Sequence, residues 1–218
     1  MNIYRPFQPN YVPIPCCPAG PQGPQGCPGP AGPQGPIAGT IPFSFSNRYE
    51  SGAELATDSS GMPTQIAYAG FGEDTGYYMY LNADEWTSGT ITIRESQPYP
   101  SSFVMPYDGT VRNIYGVFAN RQSLSLEDGV TLRPFLCLAV GDTDSLVFHI
   151  LQETLIYFPP YVSGNEIPKY SIRRANRTGL NIALPAGTLV ATIMGFTAEG
   201  ATDEQYTTGS ISGEIFIE

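Results

Sequence analysis

The sequence predicts an all-β protein: an antiparallel two-sheet jelly-roll sandwich, trimeric, behind a short collagen triple helix. Three observations predict it. Glycine recurs at every third position from Gly20 to Gly35. Beyond residue 40, apolar side chains alternate with a period of two, and no window of ten or more residues holds a 3.6-residue period. Turn-forming pairs rich in Gly, Asp, Asn and Pro separate those runs.

The triplets read Gly-Pro-Gln, Gly-Pro-Gln, Gly-Cys-Pro, Gly-Pro-Ala, Gly-Pro-Gln, Gly-Pro-Ile. Three polyproline II chains can wind together only where the residue facing the shared axis lacks a side chain. Gly20, Gly23, Gly26, Gly29, Gly32 and Gly35 are therefore the axial positions, and the expected assembly is a parallel homotrimer. A flexible Pro/Gly linker has a similar composition. It gives no reason to hold the register, or to put proline directly after five of six glycines. At about 3.1 Å per residue the stalk spans roughly 55 Å. Six triplets are marginal alone, so another element must hold the chains together. The expected organisation is an anchoring segment over residues 1–19, a stalk over 20–37, a linker over 38–46 and a trimerising head over 47–218.

Cys16 and Cys17 sit immediately before the triplets, and Cys27 lies within them. Adjacent cysteines of one chain cannot easily pair with each other, but three staggered chains can close them into a ring of interchain bridges. Cys27, at an outward-facing triplet position, is placed to link trimers to one another or to a basal layer. Reduced thiols of a cytosolic protein are the alternative. Cys137, in an apolar run, is expected to be a buried core thiol.

The chain carries a net charge of −10, distributed unevenly. Residues 1–40 hold one charge, Arg5; the other nine basic and all twenty acidic residues follow. An acidic surface repels phosphate backbones and anionic lipid, which argues against nucleic-acid and membrane partners. No run of about 18 apolar residues exists to span a bilayer. The first fifteen residues lack the apolar core of a secretory signal.

In the head, Thr90-Ile91-Thr92-Ile93-Arg94 alternates cleanly. Val130, Leu132, Leu136, Leu138 and Val140 share one parity, interrupted by Pro134, which suggests an edge or a bulge. Leu180, Ile182 and Leu184 alternate with polar or small residues. Ile211, Ile215 and Ile217 face one way, and Ser212, Glu214 and Glu218 the other. Tyr77–Leu81, Leu146–Leu151 and Leu189–Met194 are more continuously apolar and are expected to be covered on both faces. Asp108-Gly109, Asp128-Gly129, Gly141-Asp142, Ser163-Gly164-Asn165 and Pro185-Ala186-Gly187 mark turns. Eight to ten strands at such spacing suggest a sandwich or jelly roll, with the C-terminal strand woven into a sheet.

Ile41-Pro42-Phe43-Ser44, Pro106-Tyr107-Asp108-Gly109-Thr110-Val111 and Leu180-Asn181-Ile182-Ala183-Leu184-Pro185-Ala186-Gly187-Thr188 resemble the C-terminal domain of collagen-like exosporium glycoproteins of spore-forming Firmicutes. The resemblance runs across residues 41–218. It implies a head like those of complement C1q and tumour-necrosis-factor trimers, displayed on the spore's outer nap or on an appendage tip. It also implies synthesis in the mother-cell cytosol. Two features depart from the family. The triplets contain no threonine for glycosylation, and the N-terminal segment does not match the usual leader. Pro15-Cys16-Cys17-Pro18 suggests instead disulfide attachment to a basal-layer or appendage protein.

Motifs for catalysis are lacking: no Gly-x-Ser-x-Gly elbow, phosphate-cradling loop or His-x-x-x-His pair occurs, so neither enzymatic activity nor a cofactor is expected. The single histidine, His149, is expected to face the core or the trimer axis. Acidic pairs occur at Glu73-Asp74, Asp84-Glu85, Asp142/Asp144 and Asp203-Glu204; Asp142-x-Asp144 lacks the further oxygen ligands of a calcium loop and reads as a solvated loop. Asn176-Arg177-Thr178 fits an N-glycosylation pattern that has no secretory route to use it. Lys169, Arg173, Arg174 and Arg177 form the only basic cluster, a candidate ligand or partner patch.

Overall fold

The computed structural model describes residues 38–45, 53–70, 78–97, 99–141 and 144–218. All of these belong to one unit, Pro36–Glu218. Cys16, Cys17, Cys27 and the six axial glycines lie outside the described residues, as do Glu73, Asp74 and Asp142.

The fold is all-β and antiparallel. In chain order the strands are β1 (Gly39–Phe45), β2 (Ala53–Thr57), β3 (Pro63–Ala69), β4 (Tyr78–Tyr80), β5 (Thr90–Thr92), β6 (Ser102–Val104) and β7 (Gly109–Asn120). They continue with β8 (Thr131–Gly141), β9 (Val147–Tyr157), β10 (Tyr161–Val162), β11 (Ile172–Arg177), β12 (Ile182–Leu184), β13 (Leu189–Glu199) and β14 (Tyr206–Ile217). A single helical turn, α1 (Glu85–Ser88), precedes β5; it ends at Gly89, whose φ of 69° a side chain would resist.

Hydrogen-bonded neighbours run β11-β7-β14-β2-β3-β13-β8-β9-β5. β1 lies against β14 from Gly39↔Ile217 to Phe45↔Ile211. The expected linker is thus shorter than residues 38–46. Phe43 and Phe45 point into the core, and burying two rings outweighs leaving the segment extended in solvent. The C-terminus is woven in as expected, with Glu218 and Thr110 exchanging both backbone hydrogen bonds.

The two ends of this sheet turn their inner faces toward one shared core. Phe43, Ile114, Phe118, Ile211 and Ile215 from the β1-β14-β7 half join Leu132, Leu136, Val190, Met194 and Phe196 from the β13-β8 half. Gly116 of β7 lets the two halves approach closely: a Cβ there would stand 2.9 Å from the Phe158 ring and 3.0 Å from Leu136.

A second core lies on the opposite face of β3, β13, β8 and β9. Ile66, Phe135, Cys137, Phe148 and Ile193 pack there under a flap made by residues 78–97. Within the flap, Trp86 of α1 rests on Phe135 with ring centroids 4.4 Å apart. The flap is pinned by the buried Glu85. Its carboxylate accepts hydrogen bonds from the N–H groups of Asn82 and Thr92 and pairs with Arg94 at 2.7 Å. Asp84 is exposed, whereas Glu85 is buried. A carboxylate with an ion-pair partner and two amide donors can be buried.

Leu189–Met194 is buried at every position, as expected, because β13 has a core on each face. Leu146–Leu151 and the described residues of Tyr77–Leu81 are not. Both alternate, with Tyr80 and His149 turned to solvent. Pro134 lies in an interior strand. Its carbonyl accepts from the N–H of Phe158, just past the end of β9, so its missing N–H falls where the ladder is ending. A bulge does occur nearby, between Leu136 and Leu138 opposite β9.

Candidate functional site

The basic residues among those described divide into two groups. Arg94, Arg112 and Arg133 pair with Glu85, Glu218 and Glu199. Among the described residues, Arg121, Lys169, Arg173, Arg174 and Arg177 have no carboxylate within ion-pairing distance. Four of them lie along β11 (Ile172–Arg177) and the chain leading into it; Arg121 follows directly after β7.

Local structure assembles the near end of this edge. β11 runs antiparallel to β7, with Ile172 opposite Ala119 and Arg173 opposite Phe118. The preceding loop is tied to the end of β7 by the buried Asn120, whose Nδ2 donates to the carbonyls of Gln122 (2.7 Å) and Pro168 (2.9 Å). The Tyr170 N–H returns a bond to the Asn120 carbonyl at 2.9 Å, and Leu124 and Ile167 exchange two more. Held this way, Tyr170 has a φ of 66°, the only positive value at a non-glycine residue among those described. It nevertheless remains half exposed.

Three cations rest on two tyrosines here. The Arg121 guanidinium lies 5.5 Å and the Lys169 ammonium 4.9 Å from the Tyr170 ring centre. Arg173 lies 4.3 Å from the ring centre of buried Tyr161, whose hydroxyl donates to the Ser171 carbonyl at 2.5 Å. Burial raises the Tyr161 phenol above its ordinary 10.0, and the Arg173 charge opposes that rise. Tyr161 therefore stays a neutral platform.

Of the predicted patch, the structure sets Lys169 on Tyr170 and Arg173 on Tyr161, and it adds Arg121, which lies 48 residues before Lys169, to the Tyr170 ring. Arg174 points to the opposite face of the sheet, into a depression shared with Tyr115, Val117 and Glu214. Arg177, four strand residues beyond Arg173 and so roughly 13 Å away, is not part of the cluster.

His149 does not face the core. It is exposed on β9, with Nδ1 3.3 Å from the Thr90 hydroxyl. It borders a groove with Met62, Trp86, Gln152 and Tyr157, and no carboxylate lines that groove to orient the ring as a base. Cys137 is fully buried, as expected, and burial pushes its thiol pKa up. Among the described residues no cluster of His, Cys, Asp and Glu is arranged to hold a metal, and no helix is long and apolar enough to cross a membrane. No protein-family model matches the chain, and no curated protein matches it significantly.

Proposed function

We propose that this chain is a non-enzymatic structural protein of the bacterial spore surface. It is a homotrimer with a collagen-type stalk and a jelly-roll head of the C1q and tumour-necrosis-factor kind. It is anchored to the exosporium or a spore appendage through its N-terminal cysteines. The observation that carries the reading is the unbroken six-triplet glycine register set directly before an all-β unit. Strand pairing supports the head architecture: β1-β14-β7-β11 and β3-β13-β8-β9 are groups of four in which every pairing but the β8–β9 hairpin joins sequence-distant strands, as in a two-sheet jelly roll. The outer face of the first group carries exposed Tyr115 and Ile172, suited to a neighbouring head.

Sedimentation of the full chain with and without reductant tests this. A trimer is expected in both conditions, with interchain bridges on a non-reducing gel in the second; a monomer in both overturns it. Electron microscopy of labelled spores tests the location. A second reading, a trivalent receptor- or carbohydrate-binding head of a spore or phage fibre, is favoured by the unpaired cations at the β11 edge.

A further inference from the structure

We infer that the edge formed by Arg121, Lys169, Tyr170 and Arg173 is a binding site for an acidic polysaccharide, whose carboxylate or sulfate groups the three cations take. This deepens the binding-head reading and rests on it.

Two independent observations carry it. The first is charge. On a chain of net charge −10, carboxylates are abundant, yet none of the described ones lies against these cations. Folding spends its acids on Arg94, Arg112 and Arg133 and leaves this group open. Arg121 Nε is buried without a hydrogen-bond partner, although its guanidinium lies at the site. The second is backbone geometry. A tyrosine at φ 66° is held against its steric preference by Asn120, and strain of that kind at an exposed position points to a site rather than to packing. The ring it presents is the surface on which Arg121 and Lys169 are organised. Resting on a ring restricts each cation before a ligand arrives, which lowers the entropy cost of capture.

The ligand class follows from the surroundings. Arg forms bidentate pairs with planar carboxylate, and both Arg and Lys bind sulfate. A flat anionic membrane would bring the rest of an acidic head against like charge. A thin polysaccharide chain meets only the edge, and at physiological salt the distant carboxylates are screened beyond about 8 Å. Bases of a nucleic acid need open aromatic faces, and Tyr170 already carries two cations.

The test uses the full chain under reducing conditions, with polygalacturonate and heparin as carboxylated and sulfated probes. Dextran is the neutral control; polyglutamate and a single-stranded oligonucleotide are the rival polyanions. Expected is salt-sensitive binding to one or both acidic polysaccharides and none to dextran. Arg121→Gln with Lys169→Gln should bind about tenfold more weakly at unchanged melting temperature. Arg177→Gln should bind normally. Tyr170→Gly should lose affinity while melting no lower than the parent, because glycine relaxes the backbone that tyrosine strains. The proposal is overturned by undiminished binding of the double variant, by equal loss with Arg177→Gln, by polyglutamate or the oligonucleotide binding as tightly, or by no binding at all. Sedimentation of the same samples keeps the two readings apart. A trimer that fails to bind sinks only this site, and a monomer that binds sinks only the stalk assembly.

Discussion

The two halves of the sheet are finished differently. The β3-β13-β8-β9 half has a core on both faces: the shared interior on one side and the flap of residues 78–97 on the other. The β11-β7-β14-β1 half has the shared interior on one side only. Its outer face shows Tyr115, Arg174, Ser212 and Glu214 to solvent. The first half is complete within one chain. The second is the half a trimer would have to finish, and it also carries the basic edge. Substitutions in the first should therefore act on folding, and those in the second on assembly or binding.

The largest expected contrast is at Phe135, fully buried between Trp86 and Tyr157. Phe135→Ala should cost roughly 3–5 kcal/mol by denaturant titration. A loss below 1 kcal/mol would mean that the flap core contributes little. Glu85→Gln comes next. It breaks the Arg94 pair, and the cost should be about 2–3 kcal/mol, below the full range for a buried pair because the Arg94 side chain is 31% exposed. Trp86 is the single tryptophan, so loosening of the flap should appear as a red shift in fluorescence before global unfolding. An unshifted spectrum in a destabilised variant would contradict that order of events.

Alkali should act on the covered half. Burial raises the Tyr68 phenol above its ordinary 10.0 and the Cys137 thiol above 9.0. The unfolded chain ionises first, so the stability these groups contribute is whole below about pH 9 and is lost as pH rises past it. Tyr68→Phe should flatten the decline above pH 10, and an unchanged profile there would remove Tyr68 from the explanation.

Acid should act more weakly at the β2–β3 turn. Slight burial pushes the Asp58 carboxyl up, but hydrogen bonds from the Ser60 hydroxyl and the N–H groups of Met62, Ser60 and Gly61 together hold it below 3.8. Its contribution is present above pH 3.8 and is lost as pH falls further; Asp58→Asn should remove that dependence. Smallest for folding is Tyr115→Ser, within about 0.5 kcal/mol. If the β7 face joins the trimer, the same variant should shift sedimentation toward monomer. An intact trimer would place the interface elsewhere.

Reading the sequence went furthest where one neighbouring face decides everything. Period-two alternation located the buried sides of β5, β12 and β14, and the unbroken run of β13 announced its double cover. It failed over the two apolar runs around Tyr80 and Leu146–Leu151. There an apolar neighbourhood in the chain disguised an ordinary alternating strand, since composition averages over both faces while exposure does not. Lys169 and Arg173 were visible as a local basic cluster. Arg121 was not, because Asn120 and Pro168 meet only after β7 and the loop before β11 are docked. Nothing in a tyrosine codon announces a φ of 66°.

Local chemistry thus accounts for strand identity, the glycine register and the charge balance, because each follows from neighbours a few residues apart. Folding alone decided which carboxylates reach which arginines, and therefore which cations were left over. Ion pairing depends on distances of a few ångströms between residues far apart in the chain, and only the closed sheet sets those distances.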